Sequence, residues 1–192
     1  MSGRQRVVTW RVTGSGGFET AWAEFSGTAL RARGRAVGTD PAPYWIAYEL
    51  ETGEGYVTRR LAVTAETADG QAPRTLDLRR GEDGQWTANG RPLPGPAGAE
   101  DCDLGLCPLT NTMPVLRYGL HRKAGRHDLL MAWVSVPDLT VEASPQTYES
   151  VGDGRVVFSS GDFRSEIVFD GDGLVVSYPR MAFRHEGRRR RA

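Results

Sequence analysis

Paired turn residues constrain this chain more than any other feature. Asp83-Gly84 and Asn89-Gly90 bracket Gln85-Trp86-Thr87, and Asp172-Gly173 separates two alternating runs. Asp-Gly and Asn-Gly favour tight hairpins, because these residues take positive φ at low cost. Between such breaks the chain alternates apolar and polar residues, the period of a strand with one buried face. Runs of this kind cover 4–12, 28–37, 44–50, 56–66, 75–80, 129–136, 141–148, 155–159, 163–170 and 174–178. The stretch 18–25 is mixed, a strand or a short turn of helix. The pattern predicts a mainly β fold: a single antiparallel sheet of about ten or more strands, which at that size must curl, split or be covered.

Two runs carry unusual inner faces. In 28–37, Leu30, Ala32, Gly34 and Ala36 alternate with arginines. Such small residues leave room for a neighbouring element or a ligand. In 56–66, Val57, Arg59, Leu61, Val63 and Ala65 share one side, which places Arg59 on an apolar face. An inward arginine is costly unless paired. A carboxylate such as Asp101 or Asp103 would answer it, and so would a ligand headgroup.

The alternation stops at 99–120, AEDCDLGLCPLTNTMPVLRYGL. This segment is expected to form a self-bonded plug across one end of the sheet. Thr110 or Asn111 would cap a short helix running through Tyr118, with Pro114 in its first turn. Asp101 and Asp103, two apart on an extended chain, point the same way. They could serve as acid and base, or cap loop amides and pair with Arg59 and Arg117. Cys107 near His121 or His127 would be a nucleophile. The C-x4-C spacing of Cys102 and Cys107 has no second pair, so neither a metal nor another cofactor is expected.

The chain has 192 residues, which suits one domain: 1–186 as a single β domain, then 187–192 as an Arg-rich disordered tail. Its 24 basic and 24 acidic residues balance, so no global field attracts nucleic acid. No run reaches the roughly 20 apolar residues of a membrane span, and the N-terminus lacks an export signal. A cytoplasmic location with reduced thiols is the expectation.

Several pieces, in order, resemble a known bacterial family, described as "putative glycolipid-binding" and formerly a domain of unknown function. They are Tyr56-Val57-Thr58-Arg59 with Val63, the hairpin 83–90, and Asp101-Cys102-Asp103-Leu104 through Pro108-Leu109-Thr110-Asn111-Thr112-Met113-Pro114. Trp133-Val134, 136–139, Gln146, Tyr148, 170–175 and Tyr178-Pro179 complete the set. This chain departs from the family pattern at Tyr56, Val57, Cys102 and Cys107. The resemblance implies a sheet rolled into a half or open barrel, similar to envelope lipoprotein carriers that shelter acyl chains in the concave face. It implies non-enzymatic binding of a lipid or glycolipid there. Arg59, Asp101, Asp103, Asn111 and Arg117 would hold the polar end, and Tyr148 or Tyr178 would line the mouth. Two alternatives stand beside it: a hydrolase-like enzyme using Asp101 and Asp103, and a structural homodimer with a filled core, paired through an exposed sheet edge.

Overall fold

The structure, a computed structural model, describes residues 3–185; the tail expected at 187–192 lies outside them. Fifteen strands form one curled sheet that does not close into a barrel. The first half is a meander: β1 Arg4–Val12, β2 Gly17–Ser26, β3 Ala29–Gly38, β4 Tyr44–Thr52, β5 Thr58–Thr67, β6 Arg74–Arg80, β7 Trp86–Ala88 and β8 Arg91–Leu93. The second half comprises β9 Asp101–Leu104, β10 Arg126–Val134, β11 Val141–Gly152, β12 Arg155–Ser160, β13 Phe163–Phe169, β14 Val175–Tyr178 and β15 Ala182–Arg184. The two meanders meet in the middle of the sheet, where β1 pairs with β15. The edges are therefore β8 and β9.

Two details correct the sequence-based expectation. The segment 99–120 is not loop from its outset: Asp101–Leu104 form strand β9, and β9 runs parallel to β10. The sheet is therefore mixed. Parallel neighbours need a crossover, and the rest of the segment supplies it. A 3₁₀ turn at Pro108–Asn111 leads into the one α-helix among the described residues, α1 Thr112–Tyr118. Asn111 occupies its N-cap position but makes no side-chain cap bond. The helix ends at Gly119 (φ 66), where Leu120 N returns to Val115 O at 3.0 Å, a left-handed stop that glycine takes freely. The mixed stretch 18–25 is strand throughout.

The room above β3 is filled by the protein itself. A Cβ on Gly34 would collide with the Tyr48 ring, and one on Gly38 would lie 2.6 Å from Tyr44. Both tyrosines are buried and come from the adjacent strand β4. Leu109, Met113 and Val115 of the crossover are also fully buried in the core cluster. The curl then brings β9 against the start of β5: Thr58 N donates to Glu100 O (3.0 Å), and Cys102 N donates to Thr58 Oγ1 (3.0 Å).

Candidate functional site

Arg59 is not on the inner face. The β4–β5 ladder shifts register between Glu51/Arg60 and Thr52/Thr58, so Arg59 is the extra residue of a bulge. The bulge breaks the two-residue period. Thr58 and Leu61 face inward, and Arg59 is exposed. Its guanidinium lies against Gly53 in a shallow cleft of about 830 Å³. Arg59, Arg60, Arg79 and Arg80 line that cleft with Glu51, Glu54, Glu82 and Asp83, so its charges balance.

The inward arginine is Arg117, from the last turn of α1. Its side chain is 10% exposed and grips Asp101 at both carboxylate oxygens, with Nη1 to Oδ2 at 2.9 Å. Nη1 also reaches Glu100 (2.9 Å), and Nε donates to Gly55 O (2.8 Å). One side chain thus ties α1 to β9 and to the turn before β5. Burial pushes the Asp101 carboxyl up to about 6 against the pull of Arg117. Asp101 is 1% exposed, sealed beneath the guanidinium.

Asp103 has a different environment. Thr110 Oγ1 donates to its Oδ1 and Gln146 Nε2 to its Oδ2, each at 2.8 Å. Burial raises its pKa and the two donors oppose the rise. Gln146 and Tyr148 share the inner face of β11. The Tyr148 hydroxyl donates to Asn111 Oδ1 (3.1 Å), with Gln146 Oε1 at 3.3 Å, and Asn111 Nδ2 reaches Pro108 O at 3.4 Å. Register pairs Asp103 with Trp133 of β10.

Above this network lies a cavity of about 510 Å³. Trp133, Phe158, Phe163, Tyr178 and Met181 wall it. Asp103, Asn111, Gln146, Ser144 and Ser160 supply its polar lining. Phe158 packs edge-on against Tyr148 and Tyr178 at centroid distances of 5.2 and 5.9 Å. Tyr178 is 5% exposed and lines the cavity. Burial, reinforced by the Asp103 charge, holds that phenol far above its ordinary pKa, so it keeps its proton.

The expected site residues therefore separate. Asp103, Asn111 and Tyr178 line the cavity; Tyr148 lies one layer beneath it. Asp101 and Arg117 pair with each other inside the scaffold, and Arg59 is elsewhere. Trp133, Phe158, Phe163 and Gln146 are lining residues that the sequence reading left unassigned. Gln146 offered a signal, an amide at an inward position two residues from Tyr148. The aromatic wall offered none, because it is assembled from separate strands.

The thiols are not poised for attack. Burial pushes Cys102 up to about 12 and Cys107 well above its ordinary range. A nucleophile needs the thiolate. His127 stacks on Tyr118, ring centroids 3.7 Å apart. Among the described residues no three metal-ligating side chains converge. No described helix is long and apolar enough to cross a membrane.

The fold is similar to that of a solved DUF1089-family protein from Pseudomonas aeruginosa. The two chains are 24% identical and superpose with a TM-score of 0.70, covering 84% of this chain and 89% of that one. No curated protein matches the chain. A family model described as "Putative glycolipid-binding" matches residues 7–184, and the chain belongs to that family.

Proposed function

We propose that this protein binds an amphipathic lipid or glycolipid, without chemical turnover, in the cavity beside Asp103. The observation that carries the reading is the hollow itself. The curled sheet is packed solid above β3, yet about 510 Å³ stays open between β9, β10, β12 and β14. Its wall is aromatic and apolar, and its polar lining is compact. That combination suits a ligand with one oily and one polar part. Each buried methylene would contribute about 0.8 kcal/mol. The family description points the same way.

Native mass spectrometry of gently purified protein should show co-purified amphiphile. Ser144→Phe, which places a ring in the cavity, should abolish the adduct and leave thermal unfolding cooperative. Failure of wild-type protein to retain or rebind any component of a total lipid extract would sink the reading.

A further inference from the structure

We propose that one rim of the sheet docks on an anionic lipid bilayer, with a row of exposed apolar side chains seated among the headgroups and the arginine-rich end of the chain held against the lipid phosphates. The row crosses five neighbouring strands on the outer face. Register places Phe183 of β15 opposite Arg11 of β1, Arg11 opposite Phe18 of β2, Phe18 opposite Val37 of β3, and Val37 opposite Trp45 of β4. Phe183, Phe18, Val37 and Trp45 are each between 39% and 50% exposed, and they are four of the seven large hydrophobic side chains exposed among the described residues. Apolar residues scattered singly over a surface are ordinary, whereas a continuous row marks a contact surface.

The row lies where a flat partner can reach it. Phe18 and Trp45 are the second residues of their strands, and Arg11 and Val37 the next to last, so the row borders the turns 13–16 and 39–43. The turn 179–181 joins the same rim, since Gly14 N donates to Met181 O (3.2 Å). Met181 also lines the cavity, so rim and cavity share that side chain. Aromatic rings favour the boundary between headgroups and acyl chains.

The charge that selects an anionic surface comes from the chain end. On the rim, exposed Arg11, Arg164 and Arg180 stand against exposed Asp40, Asp69 and Asp162, and Glu66 accepts from the Trp45 indole N–H at 3.2 Å. Residues 186–192 read Glu-Gly-Arg-Arg-Arg-Arg-Ala, so four arginines outweigh one glutamate. His185, the last described residue, stands edge-on to the Phe18 ring with centroids 6.3 Å apart, so the basic segment departs from the row itself. Arginines close to an anionic leaflet are attracted within a Debye length, and a weak apolar contact joined to a polybasic segment makes a stable attachment. Behind the row the outer face is mixed: Arg31 meets Glu51 (3.7 Å), and Arg33 pairs in register with Glu49. A single-stranded nucleic acid laid across the rings would find no continuous positive track there, whereas a bilayer needs only the rim.

Co-sedimentation of the full chain with vesicles of phosphatidylcholine alone, and of phosphatidylcholine mixed with phosphatidylserine, tests the docking. The mixed vesicles should bind at least about tenfold tighter. Phe18→Ser with Phe183→Ser should weaken that binding at least about tenfold and leave thermal unfolding cooperative, since both positions are exposed. Should that double variant fail to fold, Val37→Glu in the same row decides. Replacing Arg188, Arg189, Arg190 and Arg191 together by glutamine should bring both vesicle types to equally weak binding. Ser144→Phe, which fills the cavity, should dock as the wild type does. Absence of binding to mixed vesicles, or full binding by the row variants, overturns the proposal. Loss of docking in Ser144→Phe overturns it in favour of lipid capture in the cavity. Tighter binding to a single-stranded oligonucleotide than to mixed vesicles overturns it in favour of nucleic acid.

Discussion

Glu19 sits in a setting at odds with its charge. It sits on the inner face of β2, 0% exposed, hydrogen-bonded to the Tyr48 hydroxyl. Its Oε2 has no partner among the described residues. Burial pushes its carboxyl from 4.5 up to about 8. The folded protein therefore holds a proton that the unfolded chain releases between those values. Stability is fully present at the acidic end of that window, declines as pH rises through it, and levels off above it. Asp101 acts in the same direction between 3.8 and about 6. The melting temperature should drop by several degrees from about pH 6 to about pH 8, and Glu19→Gln should flatten the drop. Parallel profiles for the two proteins would refute this. The arginines give a second residue-scale prediction. Arg117→Ala strands the buried Asp101 charge and should cost about 3–5 kcal/mol in urea unfolding. Arg59→Ala, at an exposed bulge, should stay within about 0.5 kcal/mol. The inward arginine is Arg117, paired with Asp101, and not Arg59. The bulge turns Arg59 outward while Leu61, Val63 and Ala65 keep the inner face, and nothing local in Thr58-Arg59-Arg60 announces it.

Among the elements, β3 and β4 act as one unit. The glycines of β3 exist where tyrosines of β4 lie flat across the strand. Gly34→Ala would drive a methyl into the Tyr48 ring, an overpacking that should cost about 1–3 kcal/mol in chemical denaturation. Unchanged stability would mean that Tyr48 can swing aside, and the small-residue strand would need another explanation. Small inner residues were legible in the sequence, but what fills the space was not. A period of two says which side is inner; it does not say which neighbour overhangs it. β9 shows the same limit. Asp101-Cys102-Asp103-Leu104 is buried on both faces, so it lacks the alternation that marks a half-buried strand.

At the scale of the whole molecule, the fifteen-strand sheet has two open edges, β8 and β9. The β8 edge is three residues long and carries Arg91 and Pro92. Short length, charge and proline all blunt an edge. The β9 edge is occupied by its contacts with Thr58. Pro92→Val lengthens and frees the β8 edge, and light scattering should then show concentration-dependent self-association exceeding that of the wild type. Identical scattering from both proteins would show that proline is not what guards this edge.

By itself the sequence determined the β class, most strand positions and the crossover helix near Tyr118, because hairpin turns and side-chain alternation are local properties of neighbouring residues. It also marked Asp103, Asn111 and Tyr178. Only the tertiary structure decided that Asp101 belongs to Arg117, that β9 joins the sheet in parallel, and that the hollow survives beside Asp103 rather than above β3. Those outcomes depend on which distant strands the curl brings together, and no window of sequence contains that contact.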